Sequence, residues 1–354
     1  MKALMRAVGL GAMVMVAGIL QARGEAFQPF QPLPPFPPAP ADNPASPAKI
    51  ELGKQLFFDR RLSPQLSHSC LSCHNVLSHG SDERAAIAGA GGQTSRRSPP
   101  ALWNVGYNTI YFRDGRGLSL EQAIQMHLLE ADAMAMGQEA HLTARLQAIP
   151  GYVTAFRVAI GPGPITLDSV GKALAAYLRT LNTQDSPWDR YLRGDGEAIS
   201  AEAKKGFGHF VETGCASCHF WVQLAGPVPG LAFEMGQGFY ELFPNYKGSE
   251  YDKKYRLTDD PGRIQVTRDA TDQHMWRVSG LRNVAVTAPY FHNGSVATLD
   301  EAVRVMSKTQ LNKELSPAHV ADIVAFLQTL TGEFPRQTFP HLPLTVNYAT
   351  SAMP

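Results

Sequence analysis

The feature that most limits what this chain can become is a pentapeptide that occurs twice, Cys70-Leu71-Ser72-Cys73-His74 and Cys215-Ala216-Ser217-Cys218-His219. Two thiols at this spacing can add to the two vinyl groups of a porphyrin while the adjacent imidazole meets its iron. All four cysteines of the chain lie in these motifs, so none is left for a structural disulfide. A redox dithiol or half of a zinc site would need both dithiols to carry a following His by coincidence. The motifs therefore predict two covalent c-type hemes, held by Cys70, Cys73, Cys215 and Cys218, with His74 and His219 as proximal iron ligands.

Cys-x-x-Cys-His chemistry belongs with export, and the amino terminus agrees. Lys2 and Arg6 precede an apolar run from Val8 to Leu20 and small residues at Ala22, Gly24 and Ala26, the layout of a signal peptide over residues 1–26. The run is shorter than the roughly 20 residues of a spanning helix. A periplasmic or surface-associated protein is expected. Residues 27–47 are dense in proline and are read as an extended leader. With 32 basic and 31 acidic residues the formal charge is +1, so no global field recruits nucleic acid or anionic membrane.

The remaining chain reads as mainly α, with few strands and long irregular loops. Ile50, Leu52, Leu56 and Phe57 share a helical face before the first motif. Ser200 caps a second helix that turns Phe207 and Phe210 inward before Cys215. Asp168 is read as the cap of a helix over 169–181, Thr298 with Glu301 as a capping box, and Ser316-Pro317 as the start of a helix that Gly332 closes. Helix followed by heme motif, twice over, implies a duplicated cytochrome c-like unit. The boundaries expected are 48–195 for an amino-terminal heme domain and 196–345 for a carboxy-terminal one.

The second axial ligand decides whether such a heme is a catalyst or an electron carrier. At this point the chain resembles the bacterial diheme cytochrome c peroxidase and MauG family. The resemblance is carried by residues 52–59 (LGKQLFFD), 113–116 (RDGR), 281–294 (LRNVAVTAPYFHNG) and 301–306 (EAVRVM) together with both heme motifs. It implies a peroxidatic first heme and an electron-transfer second heme. It also implies Met306 as distal ligand of the second iron, with Met275 in reserve; MauG has a Tyr there.

Four positions depart from the family pattern. Gly89 falls where standard members carry a distal His, and His79 is the nearest imidazole in that loop. The distal Glu that precedes a Met is replaced by Ala133 or Ala135, depending on whether Met134 or Met136 is the match, which leaves Glu130 and Asp132 as substitute carboxylates. Arg113 replaces a Trp between the hemes, so any relay of oxidising equivalents would use other aromatics such as Tyr111 and Trp103. Arg97 stands for the Asn of an interdomain calcium site near Thr287 and Pro289; its charge disfavours calcium and is expected to take that place.

Without a distal His the first heme should be open to hydrogen peroxide even when both irons are ferric. The resemblance then implies an enzyme that oxidises a side chain, with Trp as the precedent, on a partner protein through a diheme ferryl intermediate. The alternative is a cytochrome c peroxidase that reduces peroxide to water with electrons from a small cytochrome or cupredoxin, a reading that Met306 favours. A non-catalytic diheme electron carrier would need both irons six-coordinate, through His79 or Met134 at the first.

Overall fold

The structure is a computed structural model that describes residues 30–78, 85, 88–95, 97–226 and 240–345. The signal peptide expected at 1–26 and His79 lie outside the described residues.

Eleven helices of four residues or more dominate the described residues, and the only sheet among them is a two-stranded antiparallel pair, β1 (Tyr240–Leu242) and β2 (Met275–Arg277). The chain is therefore mainly α, as its punctuation implied. Helix α1 (Pro47–Phe58) starts at Ser46, whose side chain accepts from the Lys49 amide, and buries Leu52, Leu56 and Phe57. It packs against α5 (Leu167–Leu178), where a Cβ on Gly53 would lie 2.0 Å from the Ala173 carbonyl oxygen. Only glycine permits that approach.

The same device recurs in the second half. Helix α7 (Ala201–Thr213) crosses α11 (Pro317–Gln328) at Gly206, where a Cβ would lie 1.7 Å from the Asp322 carbonyl oxygen. Between these pairs lie α2 (Leu120–Leu129), α3 (Glu139–Gln147), α4 (Pro150–Ala159) and α6 (Pro187–Leu192), then, after α7, α8 (Glu250–Tyr255), α9 (Ile264–Thr267) and α10 (Leu299–Leu311).

Three expected helix ends are corrected. Thr166, not Asp168, caps α5, because its hydroxyl reaches the Ser169 amide in a reciprocal box while Asp168 sits in the first turn. Thr298 makes no side-chain cap on α10; Glu301 instead accepts from Tyr255 and Lys254. Helix α11 stops at Gln328, well before Gly332.

The duplication extends beyond the heme motifs. Leu102-Trp103-Asn104-Val105 and Leu281-Arg282-Asn283-Val284 correspond, both Asn residues adopt positive φ, 65° and 62°, and both amides donate to Thr183 Oγ1, at 2.8 and 2.9 Å. Tyr111-Phe112 and Tyr290-Phe291 follow at the same offset, each Tyr in an isolated bridge, to Gly117 and Val296. One buried core runs from Leu52 to Leu181 and a second from Trp188 to Leu330.

The proline-rich leader binds both. Phe30 packs edge-on against Trp188 and Phe207, the Leu33 amide donates to Asp189 at 2.8 Å, and Pro34 accepts from Tyr107 at 2.5 Å. Asp189 is also in a fully buried pair with Arg282 at 2.8 Å. Burial opposes ionisation of Asp189, but the Arg282 charge outweighs it and holds the carboxyl below its ordinary range. The leader's last residue, Pro47, belongs to α1.

Candidate active site: two facing cavities

Each motif folds as a single 3-10 turn, Cys70–Ser72 and Cys215–Ser217, and opens on a cavity, of about 570 Å³ at the first and about 320 Å³ at the second. His74 and His219 point inward because their Nδ1 atoms are engaged elsewhere, with the Pro100 carbonyl at 3.0 Å and the Leu224 carbonyl at 2.9 Å. Such a bond fixes the tautomer, so that Nε2 is the nitrogen that would take a metal. Burial lowers the pKa of His219 and so favours its neutral form.

Burial also pushes the thiols up, Cys70 and Cys218 to about 12 and Cys215 to about 11. Protonated thiols are poor nucleophiles and poor zinc ligands. Among the described residues no three His, Cys, Asp or Glu side chains gather to hold a bare metal ion. One inward imidazole and two thiols on a largely apolar wall fit a porphyrin in each cavity.

The side of each cavity away from the motif differs. Met306, on α10, lines the second cavity, whereas Met275, on β2, lines neither. In the first cavity, Gly89 is packed shut: a Cβ there would lie 2.4 Å from the Asp132 carbonyl oxygen, and the Ala90 amide donates to Ala133 at 2.7 Å. Ala133 and Met134 line the cavity, so the residue before that Met carries no carboxylate. Glu130 lines it too, but is held by the Arg116 guanidinium at 2.9 Å. Asp132 sits exposed at the rim.

The sequence reading missed the residue that faces His74. His127, on α2, lines the first cavity, its ring centre 5.9 Å from that of His74 and the planes at 53°. Burial and the Arg116 charge push its pKa down to about 4, with Asp132 pulling the other way. The available signal was the internal repeat: Leu120-Glu-Gln-Ala-Ile-Gln-Met-His127 corresponds position for position to Leu299-Asp-Glu-Ala-Val-Arg-Val-Met306.

Arg113 and Arg277 line both cavities and so form part of their common wall. No carboxylate pairs with Arg113 among the described residues; burial, then Arg277 and Arg97, lower its pKa to about 10. Arg97 bridges Asp114 at 2.5 Å and Asp260 at 2.8 Å and lies 4.9 Å over the Trp276 ring. Tyr111 lines the first cavity and Trp103 the second.

A pair of cavities, each built from Cys-x-x-Cys-His and sharing one wall, agrees with what known proteins show. Residues 47–197 match the family model described as di-haem cytochrome c peroxidase. Cytochrome c551 peroxidase of Pseudomonas aeruginosa is 39% identical over 303 residues, 85% of this chain and 83% of that protein. The chain belongs to this family. It is an enzyme of the diheme peroxidase and MauG type, whose oxidant is hydrogen peroxide. The methylamine utilization protein MauG of Methylorubrum extorquens is 34% identical, with 85% of this chain and 83% of that one covered. A MauG-like protein associated with microbial copper homeostasis superposes with a TM-score of 0.68 at 28% identity, over 85% of this chain and 94% of that structure.

Within a diheme peroxidase the wall residues take on meaning. His292, in the repeat position of Arg113, is stacked on Trp276 at 4.2 Å, and burial pushes its pKa down to about 4. The wall therefore sets the positive charge of Arg113 beside both cavities and the neutral imidazole of His292 beside the second alone.

Proposed function

We propose that this chain is a periplasmic cytochrome c peroxidase that passes electrons from a small cytochrome or cupredoxin, through the site of His219 and Met306, to hydrogen peroxide at the site of His74. Covalent attachment through Cys70, Cys73, Cys215 and Cys218 belongs to this reading, as does a division into heme domains 48–195 and 196–345. The observation that carries it is Met306 lining the cavity of His219. A thioether beside the imidazole would favour ferrous iron and raise the potential of a heme held there, which suits electron entry.

When bound, the hemes supply the redox chemistry, two electrons reducing one peroxide, with two protons, to two waters. The protein's part is positioning and protons. Pro100 and Leu224 hold the two proximal imidazoles. With Glu130 tied to Arg116 and Ala133 in the family's Glu position, Asp132 at the rim is the carboxylate assigned to deliver protons. Arg97, fixed by Asp114 and Asp260, supplies the positive charge that the resemblance assigned to calcium.

A second reading, oxidation of a Trp or other side chain on a partner protein, is favoured by Ala133 and Gly89 and by the likeness to MauG. Met306 weighs against it, because by the resemblance MauG has a Tyr at that place. The deciding experiment supplies peroxide with and without a reduced small cytochrome. Oxidation of two donor molecules per peroxide supports the peroxidase. A long-lived oxidised spectrum from the fully ferric protein and one equivalent of peroxide, indifferent to donor, overturns it in favour of the second reading.

A further inference from the structure

We infer that His127 is the distal axial ligand of the first iron, the counterpart within this chain of Met306 at the second. This rests on the reading of both cavities as heme sites. Three independent observations support it.

The first is the repeat. His127 and Met306 are each the eighth residue of their helices, α2 from Leu120 and α10 from Leu299, and each helix follows a Tyr-Phe bridge unit at the same spacing. A duplicated scaffold that directs position eight of one helix at an iron directs position eight of the other likewise. The second is distance. A metal held between two imidazoles, with bonds of about 2 Å and about 1 Å more to each ring centre, separates the centres by about 6 Å. His74 and His127 are separated by 5.9 Å. An imidazole standing off to act on a bound peroxide would lie farther away by the width of that molecule.

The third is the closed loop. With Gly89 pressed against the Asp132 carbonyl, a side chain at the family's usual position has no room. The ligand thus comes from a helix instead of a loop, and α2 is anchored. Ser119 caps it at the Gln122 amide, and Glu121 pairs with Arg179 of the α5 end at 2.6 Å. Opening the iron to peroxide then requires rotation of one imidazole about its own side-chain bonds, toward the wider first cavity, with the backbone in place.

The test is the spin state of the fully ferric holoprotein, by electron paramagnetic resonance and optical spectroscopy. Wild type is expected to show two low-spin hemes. His127→Gly should convert one completely to high spin, leave the Met306-side signal unchanged as proof of folding, and revert on addition of free imidazole. A high-spin heme in the wild type, or a first-heme spectrum unaltered by His127→Gly, overturns the assignment. Donor-driven peroxide reduction is measured separately on the same samples. Spin conversion without any donor oxidation in wild type would sink the peroxidase reading while leaving His127 as ligand; turnover with an unaltered spectrum would do the reverse.

Discussion

The two cavities of this diheme enzyme are one design executed twice, and they differ where function has to differ. Both set a Cys-x-x-Cys-His turn under a helix whose eighth residue faces inward, His127 in one and Met306 in the other. Helix α10 continues five residues beyond Met306, to Leu311, and its cavity is about 320 Å³; α2 ends two residues after His127, and the cavity beside it is about 570 Å³. The shorter helix gives way to a loop that brings Glu130, Asp132 and Ala133 to the first cavity. A site for electron transfer profits from enclosure, whereas a site for a small polar substrate needs space and a proton source. The two halves share a frame, and the point at which a helix stops separates the two cavities.

Removing the first proximal ligand should break the comparison most severely. His74→Gly is expected to reduce peroxide turnover to background while the second heme still accepts electrons from donor, as followed by rapid-mixing absorbance. Next in size, Met306→His should make the second site resemble the first. Its midpoint potential is expected to fall by on the order of 0.1 V, with donor oxidation slowed about tenfold or more and the first heme's spectrum retained.

Gly89→Ala tests whether the first cavity is closed by packing. A methyl there meets backbone that is itself hydrogen-bonded, so a loss of about 1–3 kcal/mol is expected by thermal or denaturant unfolding; an unchanged Tm would contradict a sealed loop. Arg113→Met probes the shared wall. Loss of a positive charge beside both sites should lower both midpoint potentials, by on the order of tens of millivolts, in redox titration. A shift at one heme alone would show that the wall is not common to both.

The smallest effect concerns pH. Burial opposes ionisation of Asp260, but the Arg97 guanidinium outweighs it and keeps the carboxyl below its ordinary value. A depressed folded pKa means that the bridge contributes stability above the unfolded carboxylate value, about 4, and loses it as pH falls through the folded value. Asp260→Asn should therefore cost about 1 kcal/mol at neutral pH and almost nothing in strong acid, as read from denaturation midpoints across that range.

Much of this was legible in the chain itself. The heme motifs with His74 and His219 and the mainly helical class follow from short-range pattern, while Met306 came only through the resemblance: covalent chemistry demands a local spacing, and helices announce themselves through periodicity and caps. Where several caps compete, as with Thr166 beside Asp168, local pattern misplaced the helix end. The empty place at Gly89 and the missing carboxylate at Ala133 were also visible, and they pointed to an open iron.

What local pattern left unseen is tertiary. His127 reads in sequence as an ordinary polar residue near the end of a helix, since periodicity tells which face it occupies and not what that face meets. Only packing of α2 against α5 turns it toward His74. Arg97 likewise looked like a misfit at a calcium position until Asp260, far along the chain, closed on it. Local chemistry can be written into neighbouring residues because bonds and caps act over a few positions. Which side chains share a cavity depends on contacts between distant segments, and that the folded core alone decides.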